Sequence, residues 1–170
     1  MAQSIDELME AANYCAVHLE MRDDYTPVSP GFVPWQEGYR GAPTNEGSRN
    51  WRKLVAKTVA RGVSIRRARI VSEPLSDYVQ YEYDITSDHN IKAGEQVSWL
   101  PRGRASEIML PGNDFWIFDN RIVMFQLFAG NGAFVDATVT ETPEVVARCV
   151  DAFEAIWTRS IPHDEYRPAT

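Results

Sequence analysis

The chain contains few cysteines and no long apolar run, and each shortage excludes a class of protein. Cys15 and Cys149 are the only cysteines in 170 residues, too few for a scaffold held together by disulfides. No stretch of about eighteen apolar residues occurs, and no apolar run follows a basic N-terminal region. We therefore expect neither a membrane span nor a leader peptide, and a cytoplasmic location.

Positive charge is also scarce. The net charge of −7 argues against binding to nucleic-acid backbones or to anionic membranes, so neither partner is expected. The hydrophobic fraction of 44% and the charged fraction of 24% are those of an ordinary globular protein. A chain of this length is typical of one domain, and we expect residues 1–170 to form one.

Residues 1–47 are expected to hold one helix and a long irregular loop. Ser4 and Glu7 form a capping box, and the apolar residues that follow recur at helical spacing, which predicts a helix from residue 5 to about residue 21. Those apolar residues are Leu8, Ala12, Cys15 and Leu19. Residues 26–47 hold four of the ten prolines and four of the ten glycines, which favours a loop that packs onto the body through its aromatic side chains.

Residues 48–161 are expected to form an α/β body, followed by a tail at 162–170. Ser48 predicts the start of a helix and Gly62 its end. A strand, a helix opened by Ser72 and Pro74, a second strand, an antiparallel hairpin, a further strand and a last helix follow. This order predicts an α/β (α+β) fold, a mixed sheet of about four to six strands with helices packed on it.

The segments RGVSIRRARIV, AGEQVSWLPR, DFWIFDNRIVMFQLF and PEVVARCVDAFEAIW occur in an order that resembles one half of a phospholipase D-type domain. The resemblance covers residues 48–161 and implies that half-domain fold. If Asp119 is placed on the aspartate of the His-x-Lys-x4-Asp motif of the superfamily, Gly112 and Asp114 take the histidine and lysine positions. The catalytic His-x-Lys part is therefore missing, and phosphodiesterase activity is not expected.

A second resemblance covers nearly the whole chain. HLEMRDDY, FVPWQEG, RRARIVSEPLSDY, AGEQVSWLPR and DFWIFD resemble a family of small uncharacterised actinobacterial proteins, whose genes often lie beside genes for helix-turn-helix regulators. The resemblance implies a non-catalytic regulatory or accessory module that binds a small molecule or a protein partner, with such a regulator as one candidate. The alternatives are an enzyme of unrecognised type and a structural subunit of a complex. A second copy of the chain, in a homodimer, is a further candidate partner.

Candidate binding residues lie where the two parallel strands are expected to end, the edge at which open α/β sheets bind ligands. They are Ser72, Glu73, Ser76, Asp77, Trp99 and Arg102, flanked by Trp35 of the loop. An enzyme that uses this acidic edge is the catalytic alternative. The structural alternative is that Ser72 caps a helix while Glu73 and Asp77 complement its dipole.

The first strand of the body carries three arginines. Side chains alternate along a strand, so Arg67 and Arg69 share one face and Arg66 points to the other. We predict that the first two hold the N-terminal segment through carboxylates, in a structural network of His18, Glu20, Asp23, Arg67 and Arg69. The alternative is an edge strand with solvated arginines.

No metal site or cofactor is expected. On the predicted first helix, His18 and Glu20 would face different sides, and no second histidine follows four residues on. A hydrogen-bonding role for His18 is therefore favoured.

Overall fold

One mixed sheet of seven strands runs through the residues that the structure, a computed structural model, describes, which are 3–25 and 29–169. The strands are β1 (Cys15–Glu20), β2 (Ser64–Val71), β3 (Gln96–Pro101), β4 (Phe115–Phe118), β5 (Ile122–Phe128), β6 (Phe134–Thr140) and β7 (Ile161–Pro162). The helices are α1 (Ile5–Ala11), α2 (Phe32–Gln36), α3 (Glu46–Ala60), α4 (Asp77–His89) and α5 (Pro143–Arg159), with short 3₁₀ helices at Ile91–Ala93 and Arg102–Ala105. Residues 26–28 of the predicted loop lie outside the described residues.

The strand order is β6-β5-β4-β1-β2-β3-β7, which places β1 at the centre of the sheet. β1, β2 and β3 are parallel, and β4 runs antiparallel to β1. Helix α4 connects β2 to β3 as the predicted crossover, and β4 and β5 form the predicted hairpin. The predicted mixed sheet is confirmed, with seven strands instead of about four to six.

The N-terminal helix is shorter than predicted. The capping box of Ser4 and Glu7 is present, but α1 ends at Ala11 and the chain enters β1 at the half-buried Cys15. The prediction of a helix to about residue 21 is therefore wrong. β1 is covered on both faces: its sequence, CAVHLE, alternates apolar and polar residues from Val17 to Glu20, and the polar side chains are buried as well.

Two of the helix starts also differ from the prediction. The side chain of Asn45, not of Ser48, caps α3 by accepting from the Ser48 backbone N–H. Ser76, not Ser72, caps α4. Gly62 follows α3 with a φ of 92°, which confirms the predicted glycine stop because side chains with a Cβ rarely adopt that conformation.

The two faces of the sheet differ in chemistry. The face toward α5 is mainly apolar, with Arg66 paired to Glu154 of that helix. Its core includes Val17, Leu19, Ala68, Ile70, Phe115, Ile117, Phe153 and Ile156. The opposite face packs against α1, α3 and α4 and carries buried polar side chains beside its apolar ones. Among the described residues, no helix has the length and apolar character needed to cross a membrane.

Candidate ligand-binding cleft

A row of polar side chains crosses the centre of the sheet on the face that α3 and α4 cover. The register of β1 and β2 pairs His18 with Arg67 and Glu20 with Arg69, and Trp116 of β4 lies opposite His18. All five side chains are buried. Because β2 lies between two other strands, the alternative of solvated arginines on an edge strand does not apply. The charges must therefore compensate one another.

Glu20 and Glu95 neutralise the two arginines. Nη1 of Arg67 and Nε of Arg69 donate to the two carboxylate oxygens of Glu20, each at 2.6 Å. Nε and Nη2 of Arg67 donate to Glu95 at 2.7 and 3.3 Å. Burial opposes ionisation of both acids, but the arginines hold the pKa of Glu20 and of Glu95 below the ordinary value. Asp23, the other predicted partner, takes no part in these pairs and contacts the strand ends instead.

His18 connects the ion pairs to β4 and β5. Its Nδ1 lies 2.7 Å from Nη1 of Arg67, and its Nε2 lies 2.9 Å from Oε1 of Gln126. Because a guanidinium can only donate, Nδ1 is the acceptor and Nε2 carries the proton. The imidazole stacks on Trp116 with ring centroids 4.2 Å apart. Burial, with the charge of Arg67, lowers the pKa of His18 to about 3, so the ring is neutral near pH 7.

Glu82 of α4 brings a third carboxyl to the cluster. Its side chain contacts Arg69 at 3.9 Å, the longest ion-pair distance in the network, and the residue is only 7% exposed. Burial raises the pKa of Glu82 to about 8, while Arg69 opposes the shift and the charge of Glu20 adds to it. Near pH 7 this carboxyl is therefore mostly protonated, unlike that of Glu20.

Two cavities lie over this cluster, and we call them together the central cleft. The larger, of about 520 Å³, lies between the sheet, α3, α4 and the chain preceding α3. The smaller, of about 400 Å³, extends toward β5 and β6. Both are lined by His18, Glu20, Ser29, Tyr78, Glu82 and Gln126. A concave site with aromatic walls and a few convergent polar groups is the usual setting for a small molecule.

Two buried side-chain atoms, each in a residue that lines the larger cavity, have no hydrogen-bond partner among the described residues. They are Nε1 of Trp116, a donor, and Oδ1 of Asn90, an acceptor. Both residues are at least nine-tenths buried. An unpaired buried polar atom costs on the order of 1–3 kcal/mol, so proteins rarely retain one without a reason.

Three of the predicted strand-end residues, Ser72, Ser76 and Arg102, form hydrogen bonds with Asp23. Asp23 accepts from the backbone N–H and the hydroxyl of Ser72, at 2.8 and 2.6 Å, and from Nη2 of Arg102 at 3.1 Å. Ser76 caps α4 and donates its hydroxyl to the Asp23 carbonyl. Asp77 is exposed at the start of α4. These bonds tie the segment after β1 to the ends of β2 and β3.

The other three predicted binding residues have different surroundings. Trp99 is fully buried and stacks on Tyr166, so contrary to expectation it cannot reach a ligand at the strand ends. Glu73 accepts from the Tyr166 hydroxyl at 2.6 Å. Trp35 is half-buried, donates to Asp84 at 2.9 Å and lines a separate cavity of about 440 Å³.

His18 and Glu20 lie two residues apart on a strand, so they share a face, contrary to the prediction that placed them on different faces of a helix. Within residues 3–25 and 29–169, no group of three or more histidine, cysteine or acidic side chains is arranged to hold a metal ion.

Comparison with known protein families shows which family the chain belongs to. The family described as a domain of unknown function (DUF6879) matches residues 3–168. The chain belongs to this family. No curated protein sequence matches it.

Two solved structures are similar to the DUF6879 chain. One is the crystal structure of a phospholipase D family member, Nuc from Salmonella typhimurium, with a TM-score of 0.51 and 11% identity over 95% of this chain and 88% of that chain. The other is TrmBL2, an archaeal chromatin protein whose structure shows a novel mode of DNA binding, with a TM-score of 0.49 and 16% identity over 92% of this chain and 48% of that chain. At 11% identity the likeness to Nuc shows the fold alone, which is phospholipase D-like.

The residues at the phospholipase D motif positions make structural contacts in the DUF6879 chain. The carboxylate of Asp119 accepts from the backbone N–H groups of residues 13–15, with shortest distances of 2.9, 2.7 and 3.0 Å. Asp114 accepts a hydrogen bond from the Tyr25 hydroxyl. Gly112 offers no side chain, and the space beside it is open.

Several residues of the cleft and of its ion-pair network were not among the sequence-based candidates, namely Glu82, Glu95, Asn90, Trp116 and Gln126. For Glu82 the sequence does contain a signal, because this acid lies with Tyr78, Val79 and Ile85 on the apolar face of a predicted helix. An acidic side chain on a buried face is rare unless a partner compensates its charge. The others give no local signal, because they come from separate elements that only the sheet and its covering helices bring together.

Proposed function

We propose that this DUF6879 chain is a non-catalytic module that binds a small polar molecule in the central cleft. The observation that carries the proposal is the presence of two buried atoms without a hydrogen-bond partner among the described residues, Nε1 of Trp116 and Oδ1 of Asn90, in two residues that line one cavity. A ligand with both an acceptor and a donor would complete their hydrogen bonding. Either bond is then made at little cost, because the protein atom has already lost its water.

The buried charges support the same proposal. A buried ion-pair cluster gives little stability compared with apolar side chains of similar volume. The other face of the same strands is mostly apolar, so a mainly apolar core is compatible with this fold. A cluster that adjoins a cavity has a reason to be kept if it orients a ligand.

A second depression is larger but less suited to a polar ligand. It has a volume of about 700 Å³ and lies between α5 and residues 107–111. Its charged residues are all exposed, so water already satisfies them. The central cleft is the better candidate because its polar groups are desolvated in advance.

The test is a small-molecule screen by ligand-observed NMR, followed by titration of wild-type, Trp116→Phe and Trp157→Phe proteins. Phenylalanine keeps an aromatic ring but removes the indole N–H, so affinity should fall about tenfold in the Trp116 variant. Trp157 packs on Phe153 of α5, on the other face of the sheet, and serves as the matched control. If every hit binds both variants as well as the wild type, the central cleft is not the ligand site.

We extend the proposal to a regulatory or accessory role in the cytoplasm of an actinobacterium, with a helix-turn-helix regulator or a second copy of the chain as protein partner. Its supports are the resemblance of the quoted segments, the two free cysteines and the net charge of −7, which disfavours direct contact with nucleic acid. Mass spectrometry of material that co-purifies with the native protein tests it. Recovery of the chain with no regulator and no second copy would contradict the partner.

A second candidate function is acid–base catalysis, and one observation favours it. Burial raises the pKa of Glu82 to about 8, so this cleft acid can exchange a proton near neutral pH. The test is incubation of wild-type and Glu82→Gln proteins with a metabolite mixture. A compound consumed only by the wild type would favour the enzyme over the binding module.

A further inference from the structure

The charges of the central cleft balance only while Glu82 is protonated. All three guanidinium nitrogens of Arg67 donate to neighbouring side chains, and Nε and Nη1 of Arg69 do the same. Glu20 and Glu95 supply one negative charge for each guanidinium. Ionised Glu82 would add a third negative charge, with Nη2 of Arg69 at 3.9 Å as its ion-pair contact. With Glu82 ionised, the cluster therefore has one negative charge in excess and can accommodate one more positive charge.

The smaller cavity of the cleft has walls suited to an organic cation. Its described lining includes two acids, Glu20 and Glu82, and no lysine or arginine. Its aromatic walls are Tyr25, Tyr78, Phe128 and Phe134. Aromatic ring faces attract cations, most strongly where water is excluded. The guanidinium of Arg22 already lies 4.9 Å from the centre of the Phe128 ring, so this wall accepts a cation in the protein itself.

We propose, on the basis of the proposed function, that the ligand of the central cleft is a small organic cation. It is an amine or ammonium ion whose positive charge lies against Glu82, whose apolar body packs on the aromatic walls of the smaller cavity, and whose further donor and acceptor serve Asn90 and Trp116 in the larger one. The ammonium supplies the charge that ionised Glu82 lacks, so binding and ionisation of the carboxyl favour each other.

This coupling makes the affinity depend on pH. The charged groups that face Glu82 are Glu20, Arg67, Arg69 and Asp114. The arginines keep their charge, the pKa of Glu20 lies below its ordinary value, and burial raises the pKa of Asp114 only to about 6. Between about pH 7 and pH 8 only Glu82 changes, from about one-tenth to one-half ionised, so cation affinity should rise about fivefold.

The experiment compares three probes of nearly equal shape and different charge: phenethylammonium, neutral phenethyl alcohol and anionic phenylacetate. Each is titrated into the wild-type chain, with dissociation constants from NMR chemical shifts. The ammonium should bind at least about tenfold more tightly than the alcohol at pH 8, and the anion most weakly. Glu82→Gln, which keeps the shape but removes the charge, should reduce the affinity for the ammonium to that for the alcohol and abolish its pH dependence.

The outcomes separate this inference from the proposed function. If the alcohol or phenylacetate binds as well as the ammonium and Trp116→Phe weakens that binding, the cleft is a ligand site but the cation is wrong. If phenethylammonium does not bind, the inference that the ligand is a cation is also overturned. The proposed function itself is decided by the broader small-molecule screen. The probe comparison uses only wild-type protein, so a folding defect in Glu82→Gln would not prevent a decision.

Discussion

Replacing Glu82 by glutamine should remove a pH-dependent loss of stability. The pKa of a glutamate is 4.5 before burial, and burial in the folded chain raises that of Glu82 to about 8. Between these two values the unfolded chain has released the proton and the folded chain has kept it. A rise in pH therefore favours the unfolded state, and the stabilising effect of the protonated carboxyl, complete below the lower pKa, is lost as pH rises through the higher one.

The magnitude follows from the linkage of proton binding to folding. One proton retained by the folded state gives a slope of about 1.4 kcal/mol per pH unit, which flattens as pH approaches 8. From about pH 6.5 to pH 8 the free energy of unfolding should therefore fall by about 1.5 kcal/mol more in the wild type than in Glu82→Gln. His18, His89 and His163, whose pKa values burial lowers, add an opposite trend at the start of this range, but they contribute equally to both proteins, so the difference between the two proteins is unaffected.

The assay is urea unfolding at several pH values, monitored through the fluorescence of the five tryptophans. Glu107→Gln is the matched control, because the Glu107 side chain is 85% exposed and its replacement should leave the wild-type profile unchanged. At about pH 5 residue 82 is neutral in both folded proteins, but the unfolded wild type has already begun to release its proton, so the wild type should be less stable than Glu82→Gln by less than about 1 kcal/mol. Parallel profiles across the range would show that Glu82 is already ionised in the folded protein, and the reasoning would be refuted.

Two further substitutions test the other polar contacts through the same unfolding assay. Arg69→Met should lower the free energy of unfolding by about 3–5 kcal/mol because it leaves buried Glu20 without one of its cations. Arg121→Met, in an exposed pair, should lower it by less than about 1 kcal/mol. Equal losses would contradict the buried network. Asp119→Ala should lower the free energy of unfolding by about 1–3 kcal/mol because it removes the acceptor of three backbone N–H groups before and at the start of β1. Replacing exposed Asp136 by alanine should lower it by about 0.5 kcal/mol or less. A negligible loss for Asp119 would show that water replaces the carboxylate readily.

Much of the fold follows from local patterns in the sequence. α5 carries a continuous apolar stripe, the segment of β2 is rich in β-branched residues, and β4 and β5 are joined by a short turn. Each of these signals depends on neighbours a few residues apart, so it can be recognised without knowledge of the fold. β1 gives an ambiguous signal, because residues 17–20 alternate as in a strand while Leu8, Ala12, Cys15 and Leu19 recur at helical spacing.

The candidate site divides along the same physical line. Alternation along a strand is a local property, so the sequence alone determined that Arg67 and Arg69 share a face and need carboxylate partners. Only the tertiary structure decided that Glu95 and Glu82 stand beside Glu20 among those carboxylates. The choice depends on which strand lies next to β2 and which helices cover it, and therefore on contacts between residues far apart in the chain. The raised pKa of Glu82 likewise arises from exclusion of water, which exists only once the sheet, α3 and α4 have assembled around the cleft.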